Sequence, residues 1–403
     1  AVLPSSIPHI KPKLIKKVNE KVKKGEKIFF DKQNDQIFWC SPAGGTIKDI
    51  SYGPRRRLDE VIIEIDKEEE SIDFKKWSQE SIASMTKEDL ISELTERGLW
   101  PAFREFPFNN IPKQQTTPPS IYVSLDQDEP YMPQTDVILK DKLEDLEIGI
   151  NLLKKLTQKV VVSVHENSPV KDQVQQIATH EIKGDYPAMN PGVVLYYEKK
   201  SADENKAWKI HVQQLLRIVE SLKTGAYPTE KIIVLAGDLS HKTTHVKTRE
   251  GVSIETLCEG TKEDEPTRYI LGGVLTGRKS HRKGFVGFDD FALHQIREGS
   301  EQELLSFFKL GLQKHTKSKT YVSGLYDQST FKFTTGLNGG HRSCIACGEC
   351  VEVCPVGSLP QLLMKSVLAN ELEESLSHGL LDCVDCGLCT YVCPSKIEFD
   401  EII

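Results

Sequence analysis

The sequence predicts a multidomain α/β chain that ends in a cysteine-rich helical module, and three observations carry that expectation. Its 403 residues suffice for roughly two to four domains, each with its own core. Strand and helix signals alternate through the middle of the chain, the order that builds parallel sheets. Eight of the ten cysteines fall in the last sixty residues, in two repeats of one spacing. With 52 basic against 59 acidic residues the formal charge is −7, which speaks against a nucleic-acid binder, whose footprint is basic. The longest apolar runs, around Val160 to Val164 and Ile232 to Ala236, are strand-length and far below the roughly 18 residues of a membrane helix. Ala1-Val2-Leu3-Pro4 lacks a basic region followed by an apolar stretch and a cleavage box, so a cytosolic, reducing compartment is expected.

In chain order, residues 1–72 alternate apolar and polar positions, cut by turn residues. The stretch Val22 to Phe30, the turn at Asn34-Asp35 and Ile37 to Ile47 read as short strands. This pattern resembles the barrel-sandwich hybrid of biotinyl and lipoyl domains. Such domains carry their cofactor on a hairpin lysine. Lys32 is the nearby candidate but has no flanking Met, so it is read as a solvated lysine on a scaffold barrel. Cys40 follows an aromatic strand and is expected as a small buried hydrophobe. The charged run Asp66 to Ser71 reads as a solvated boundary.

Residues 73–229 read as a Rossmann-like parallel α/β domain. Helical spacing runs through Ile82, Leu90, Ile91 and Leu94 in Gln79 to Arg97; strands are expected at Ile121 to Leu125 and Val160 to Val164, and helices at Leu143 to Leu156 and Trp208 to Leu222. No G-x-G-x-x-G opens a helix after a strand and no Walker loop is present, so no nucleotide motif accompanies the sheet. Residues 230–315 read as a β-grasp (SLBB-like) domain. Strand-rich pieces at Ile233 to Leu235, His245 to Thr248 and Tyr269 to Leu275 are followed by an amphipathic helix at Ser300 to Leu310. Gly272-Gly273 falls in a β segment with no helix behind it. Arg278, Lys279, Arg282 and Lys283 form a basic stretch read as a solvated face or a contact with a neighbouring protein. Asp126, Asp128 and Glu129 are read as a loop cap. The histidines, His165, His180, His211, His241, His245, His281 and His294, are read as scattered and without a partner carboxylate at ligand spacing.

Residues 316–403 carry the chemistry. Cys344, Cys347, Cys350 and Cys354, and then Cys383, Cys386, Cys389 and Cys393, each read C-x-x-C-x-x-C-x-x-x-C-P, closed by Pro355 and Pro394. Clustered cysteines in a large acidic chain without a secretion signal point to metal rather than disulfides. Zinc takes four ligands in two separated pairs, which leaves the third closely spaced thiol without a place. A cubane takes three thiolates from one wrapped loop and a fourth from elsewhere, so two [4Fe-4S] clusters are expected, with structural zinc as the alternative. The run is similar to that of bacterial two-cluster ferredoxins, in which the fourth Cys ligates the other cluster. That similarity implies one cluster on Cys344, Cys347, Cys350 and Cys393, and another on Cys383, Cys386, Cys389 and Cys354. Gly348 and Gly387 sit where the wrapped loops need permissive dihedrals. Leu359, Leu363, Val367, Leu372, Leu376 and Leu380 read as helices packing one face inward, a helical ferredoxin-like module. Every ligand position is a Cys, so electron relay is the expected role, with a purely structural one as the alternative.

A family resemblance joins these pieces. Gly98 to Phe108, Ile121 to Pro130, Val234 to Gly237, Val246 to Arg249, Phe333 to Gly340 and Leu388 to Pro394 together resemble the NqrA family, the A subunits of bacterial sodium-translocating NADH:quinone oxidoreductases. The resemblance implies a peripheral protein on the cytoplasmic face of the bacterial inner membrane, docked on the membrane subunits of the complex. NADH and quinone would be handled by that complex, quinone contact on this chain is possible, and no flavin is expected here. The middle domains are similar to those of the flavin- and NADH-binding subunit of respiratory complex I with the nucleotide site lost, in keeping with the bulky Gly98 to Phe108 loop. Two departures stand out. Both cysteine motifs are intact, as in the related Rnf complex's C subunit, which marks an iron-sulfur-bearing variant. The family's Gly-Pro-His-Pro-Ala-Gly element is altered to Gly184-Asp185-Tyr186-Pro187-Ala188-Met189. The chain also starts at Ala1, so a leading segment is expected to be missing. With no Ser-His-Asp or Cys-His constellation, the chain alone is expected to catalyse nothing. A C-type subunit of an Rnf ferredoxin:NAD reductase and a non-redox scaffold or quinone-binding subunit remain alternatives to the relay.

Overall fold

The computed structural model describes residues 1–127, 129–259, 265–299, 316, 318–325, 335–336 and 339–403. The helix expected at Ser300 to Leu310, half of Phe333 to Gly340, and Asp128 lie outside them. The N-terminal strands are β1 (Pro12–Leu14), β2 (Lys21–Val22), β3 (Lys27–Asp31), β4 (Asn34–Cys40), β5 (Gly45–Tyr52) and β6 (Leu58–Ile65). They form two three-stranded sheets, β1-β3-β4 and β2-β5-β6. Ile28 and Phe29 are both fully buried although strand neighbours normally face opposite ways, because the β3–β4 register shifts between Lys27 and Phe29. Phe29 stacks on Trp39 at 4.8 Å between ring centroids. Lys32 is exposed at the β3–β4 turn. Cys40 is buried and its thiol donates to the Arg97 carbonyl at 3.7 Å. The charged run after β6 is more than a solvated boundary: Glu69 pairs with Arg249 at 2.8 Å and Glu70 with Lys23 at 2.8 Å, so it ties the barrel to a distant part of the chain.

The next unit contains α1 (Gln79–Ser84), α2 (Lys87–Glu96), β7 (Phe103–Glu105), β8 (Ile121–Ser124), α3 (Thr135–Ile138), α4 (Leu143–Leu156), β9 (Val160–His165), β10 (His180–Ile182), α5 (Pro191–Glu198), β11 (Trp208–Ile210) and α6 (Val212–Thr224). The sheet runs β10-β9-β8-β11-β7. Its first four strands pair in parallel, while β7 is antiparallel to β11, so the expected all-parallel sheet is mixed. Two further expectations are corrected. The helical signal from Gln79 to Arg97 is broken after Ser84, because Thr86 and Asp89 form a capping box that starts α2. The helix expected from Trp208 begins at Val212. Trp208 to Ile210 is an edge-proximal strand, and Trp208 packs against Trp100 and Phe103 at 5.7 Å. His211 then caps α6, its Nδ1 accepting the Gln213 amide at 3.1 Å.

A second mixed sheet is built from β12 (Glu230–Ala236), β13 (Thr244–Arg249), β14 (Thr267–Leu271), β15 (Arg278–Ser280) and β16 (Ala292–Arg297), with α7 (Ile254–Leu257) beside it. The order is β13-β12-β16-β14-β15, with β12 and β16 parallel. The strand expected through Leu275 stops at Leu271, where Gly272 turns at φ 93°. Asp126 and Glu129 do cap loops. Asp126 accepts from the His165 amide at 2.8 Å, and Glu129 accepts from the Leu275 amide at 2.6 Å. His180 is not without a carboxylate: its Nε2 lies 2.7 Å from Glu198.

The C-terminal module is helical: α8 (Glu349–Glu352), α9 (Pro360–Ala369), α10 (Leu372–Ser377) and α11 (Leu388–Val392). The leucine row does not pack as one inward face. Leu363 is 1% exposed, but Leu372 and Leu376 are 65% and 44% exposed. Asn370, in the left-handed region at φ 59°, ends α9 and breaks the helical phase. Among the described residues no helix is long and apolar enough to cross a membrane.

Candidate iron-sulfur site

The two cysteine motifs repeat at an offset of 39 residues, and the backbone repeats with them. Ala346 and Asp385 adopt φ 55° and 54°, Gly348 and Gly387 adopt 83° and 73°, and Gly357 and Lys396 adopt 63° and 53°. These left-handed residues wrap each loop back on itself, which only glycine does without strain. Short helices α8 and α11 start at Gly348 and Gly387. The wrap aims amides at sulfur: the Ala346 amide donates to Cys344 Sγ at 3.4 Å, and the amide of Asp385 reaches Cys383 in the same way. The Ile397 amide donates to Cys393 Sγ at 3.5 Å. Such bonds orient and stabilise thiolates that ligate iron.

The thiols sort into two sets. Cys344, Cys347, Cys350 and Cys393 line one small cavity of about 20 Å³, and Cys354, Cys383, Cys386 and Cys389 line another of about 390 Å³. Each set takes three thiols from one repeat and the fourth from the other. Burial pushes the Cys386 thiol up to about 11 and raises Cys383, Cys389 and Cys350 as well. Ionising them here calls for a cation, and metal binding would release their protons. Among the described residues no three His, Cys, Asp or Glu side chains converge tightly enough to hold a single metal ion. A cubane asks for a looser set, because each thiolate meets a different iron.

The two loops differ in surroundings. Cys347 is exposed and Ile345 is 59% exposed, whereas Cys386 is buried. The set of Cys354, Cys383, Cys386 and Cys389 is clamped by the α/β unit. The Tyr186 hydroxyl donates to the Cys386 carbonyl at 2.7 Å, Tyr197 donates to the Pro355 carbonyl at 3.0 Å, and Lys199 pairs with Asp382. A strap flanks the other set, Cys344, Cys347, Cys350 and Cys393: Glu349 accepts from Ser318 at 2.9 Å and from the Thr320 hydroxyl at 2.6 Å, while Tyr321 donates to the Pro394 carbonyl at 2.8 Å. Sequence reasoning found the eight cysteines but not these clamps, since no linear signal joins position 186 to 386. The altered loop at Gly184 to Met189 supplies one of them. Arg278 of the basic stretch pairs with Asp290 at 2.6 Å.

Comparison with known proteins matches three stretches of the chain. Residues 1–66 match the family model of the NqrA N-terminal barrel-sandwich hybrid domain, 85–227 that of the NqrA second alpha/beta domain, and 343–397 that of the 4Fe-4S dicluster domain. The A subunit of the Na(+)-translocating NADH-quinone reductase of Cellvibrio japonicus is 31% identical over 376 residues, covering 92% of this chain and 84% of that protein. The protein of the same name from Marinomonas sp. is 29% identical, covering 94% and 86%. A NAD+-reducing [NiFe]-hydrogenase in the H2-reduced state aligns over 55% of this chain and 49% of its own, with 10% identity and a TM-score of 0.39.

Proposed function

Since the chain belongs to the NqrA family, the A subunits of the Na(+)-translocating NADH-quinone reductases, we propose that it is the peripheral subunit of such a complex that relays electrons through two [4Fe-4S] clusters. The observation that carries this reading is the sorting of eight cysteines into two cavities, each holding three thiols of one repeat and one of the other. One cluster is assigned to Cys344, Cys347, Cys350 and Cys393, and the second to Cys383, Cys386, Cys389 and Cys354. When bound, such clusters supply one-electron transfer without an open coordination site. The chain's own part is to hold the thiolates, aim amides at them and shield one loop from water.

The same reading divides the chain into a barrel-sandwich domain at 1–72, a Rossmann-like domain without a nucleotide motif at 73–229, an SLBB-like β-grasp domain at 230–315 and the dicluster module at 316–403. It makes the chain an iron-sulfur-bearing variant, related in that respect to the C subunit of Rnf complexes. It also places the chain on the cytoplasmic face of the membrane, against the membrane subunits, with no flavin of its own. A quinone contact on this chain rests on the family relation alone. A photoreactive quinone that labels other subunits of the intact complex and never this one removes it.

The test is iron and acid-labile sulfide on anaerobically purified protein, with EPR before and after dithionite. The reading expects about eight of each per chain and reduced-cubane signals that NADH also elicits in the assembled complex. Stoichiometric zinc overturns it in favour of a scaffold. Clusters that dithionite reduces and NADH does not would leave a structural module.

A further inference from the structure

Two cations share one end of the α/β sheet where the dicluster module covers it. Lys209 of β11 stands directly opposite Arg104 of β7 in the antiparallel pair, an arrangement that repulsion disfavours unless something compensates it. Arg104 is compensated: it pairs with Asp289 and donates to the Phe103 carbonyl at 3.0 Å. Lys209 has no ion pair or hydrogen bond to its ammonium among the described residues. It rests over the Phe106 ring, 5.0 Å from the centroid. Burial, then Arg104, pulls it down to about 8.

The second cysteine loop faces it. Phe106 lines one small cavity together with Cys383 and Val384, and Phe106 and Val384 press on the same point at Gly192. Asp385, between Cys383 and Cys386, is the first anion whose field Lys209 feels, with Asp289 behind it. Among the described residues the first cysteine loop has no such wall: a Cβ at Gly348 would meet none of their atoms within 4 Å, whereas one at Gly387 would meet the Leu275 carbonyl at 2.5 Å. A cubane with four thiolates carries roughly −2 when oxidised and −3 when reduced. A cation held against an aromatic wall offsets that added charge better than fully solvated groups do.

We propose that Lys209, backed by Arg104, is the charge partner of the enclosed cluster held by Cys383, Cys386, Cys389 and Cys354, and that it raises that cluster's reduction potential relative to the exposed one. Lys209 acts here as a positioning charge, not as a ligand, and the inference rests on the two-cluster reading above.

The experiment is an EPR-monitored redox titration of the cluster-loaded full chain, after iron and sulfide analysis, for the parent and for Lys209→Met, Lys209→Arg and Asp289→Asn. At the parent's midpoint, Lys209→Met should lower the reduced-to-oxidised ratio of one cluster about tenfold and leave the other where it was. Lys209→Arg should restore it. Asp289→Asn, which frees Arg104, should move the same cluster the opposite way. With both clusters assembled, an unmoved ratio in Lys209→Met overturns the inference; so does a shift of both clusters together, which a loosened fold would cause. The neighbouring cavity of about 470 Å³, which Lys209 also lines, offers an anion as the rival partner. A phosphate-dependent change in the parent's Lys209 environment with unmoved potentials would therefore count against the proposal. Missing iron or bound zinc would instead sink the cluster reading, independently of Lys209.

Discussion

Arg97 is wholly enclosed, with its side chain 0% exposed, and such a charge is tolerated only when its donors are satisfied. Its guanidinium reaches Glu93 at 2.6 Å, the Ser221 carbonyl at 2.8 Å and the Lys75 carbonyl at 2.6 Å. One side chain thus joins α2, α6 and the segment leaving the barrel. Arg97→Met leaves Glu93 unpaired and is expected to cost about 3–5 kcal/mol, read as a lowered denaturant midpoint at unchanged slope. Adding Glu93→Met should recover part of the loss; no recovery would show that packing, not charge, dominates. The crossed ligand assignment is tested at the same scale. Cys393→Ala should abolish the EPR signal of the cluster that also needs Cys347, and Cys354→Ala the signal that needs Cys386. The reverse pattern would assign each motif its own fourth ligand. The cysteines were legible in sequence because their spacing is itself the chemistry. Arg97 was not, because an arginine at a helix end looks solvated until the elements it bridges are brought together.

At the scale of elements, the turn from β11 into α6 carries a pH-dependent term. His211 caps α6 through Nδ1, stacks on Phe291 at 3.8 Å and contacts Gln127 through Nε2. Burial, then the nearby Lys231, pulls it down to about 3, and burial pulls His294 down to about 4. An unfolded histidine titrates near ~6.5, so between that value and the folded one the unfolded chain binds more protons. Stability therefore falls as pH falls through that window, by up to about 1.4 kcal/mol per pH unit for each histidine. His211→Asn keeps a capping acceptor and removes one titrating group. Its unfolding free energy should depend less steeply on pH between about 4 and 6, measured by denaturant titrations across that range. An unchanged slope would mean that the imidazole stays solvated in the native chain. This turn also shows why the sequence reading ran a helix through Trp208. Three residues of strand followed directly by a cap have the apolar spacing of a helix start, and only pairing with β7 and β8 distinguishes them. Leu143–Leu156, by contrast, was read to the residue because a long amphipathic period has no such competitor.

Across the whole molecule, stability is unevenly shared. One continuous core runs through the barrel-sandwich and α/β units, from Val2 to Leu222 and on to Phe288. The core of the dicluster module is a separate, small cluster around Cys350, Met364, Cys393, Ile397 and Phe399. Two of those five are thiols assigned to iron, so removing iron takes away both the cross-links and much of the reason for that core to close. The crossing makes the effect cooperative, since each cluster would staple both halves of the module. Hydrogen exchange compared between cluster-loaded and iron-stripped protein should show protection lost through 341–403. Protection should persist in β8, β9 and α6, whose core contains no proposed ligand. The three clamps from Tyr186, Tyr197 and Lys199 set the boundary: exchange should rise on the module side of each and not on the α/β side. Equal protection of 341–403 with and without iron would show that the helices fold on their own. The cysteines would then sit on a scaffold finished before iron arrives, and the cross-links would add little to its stability.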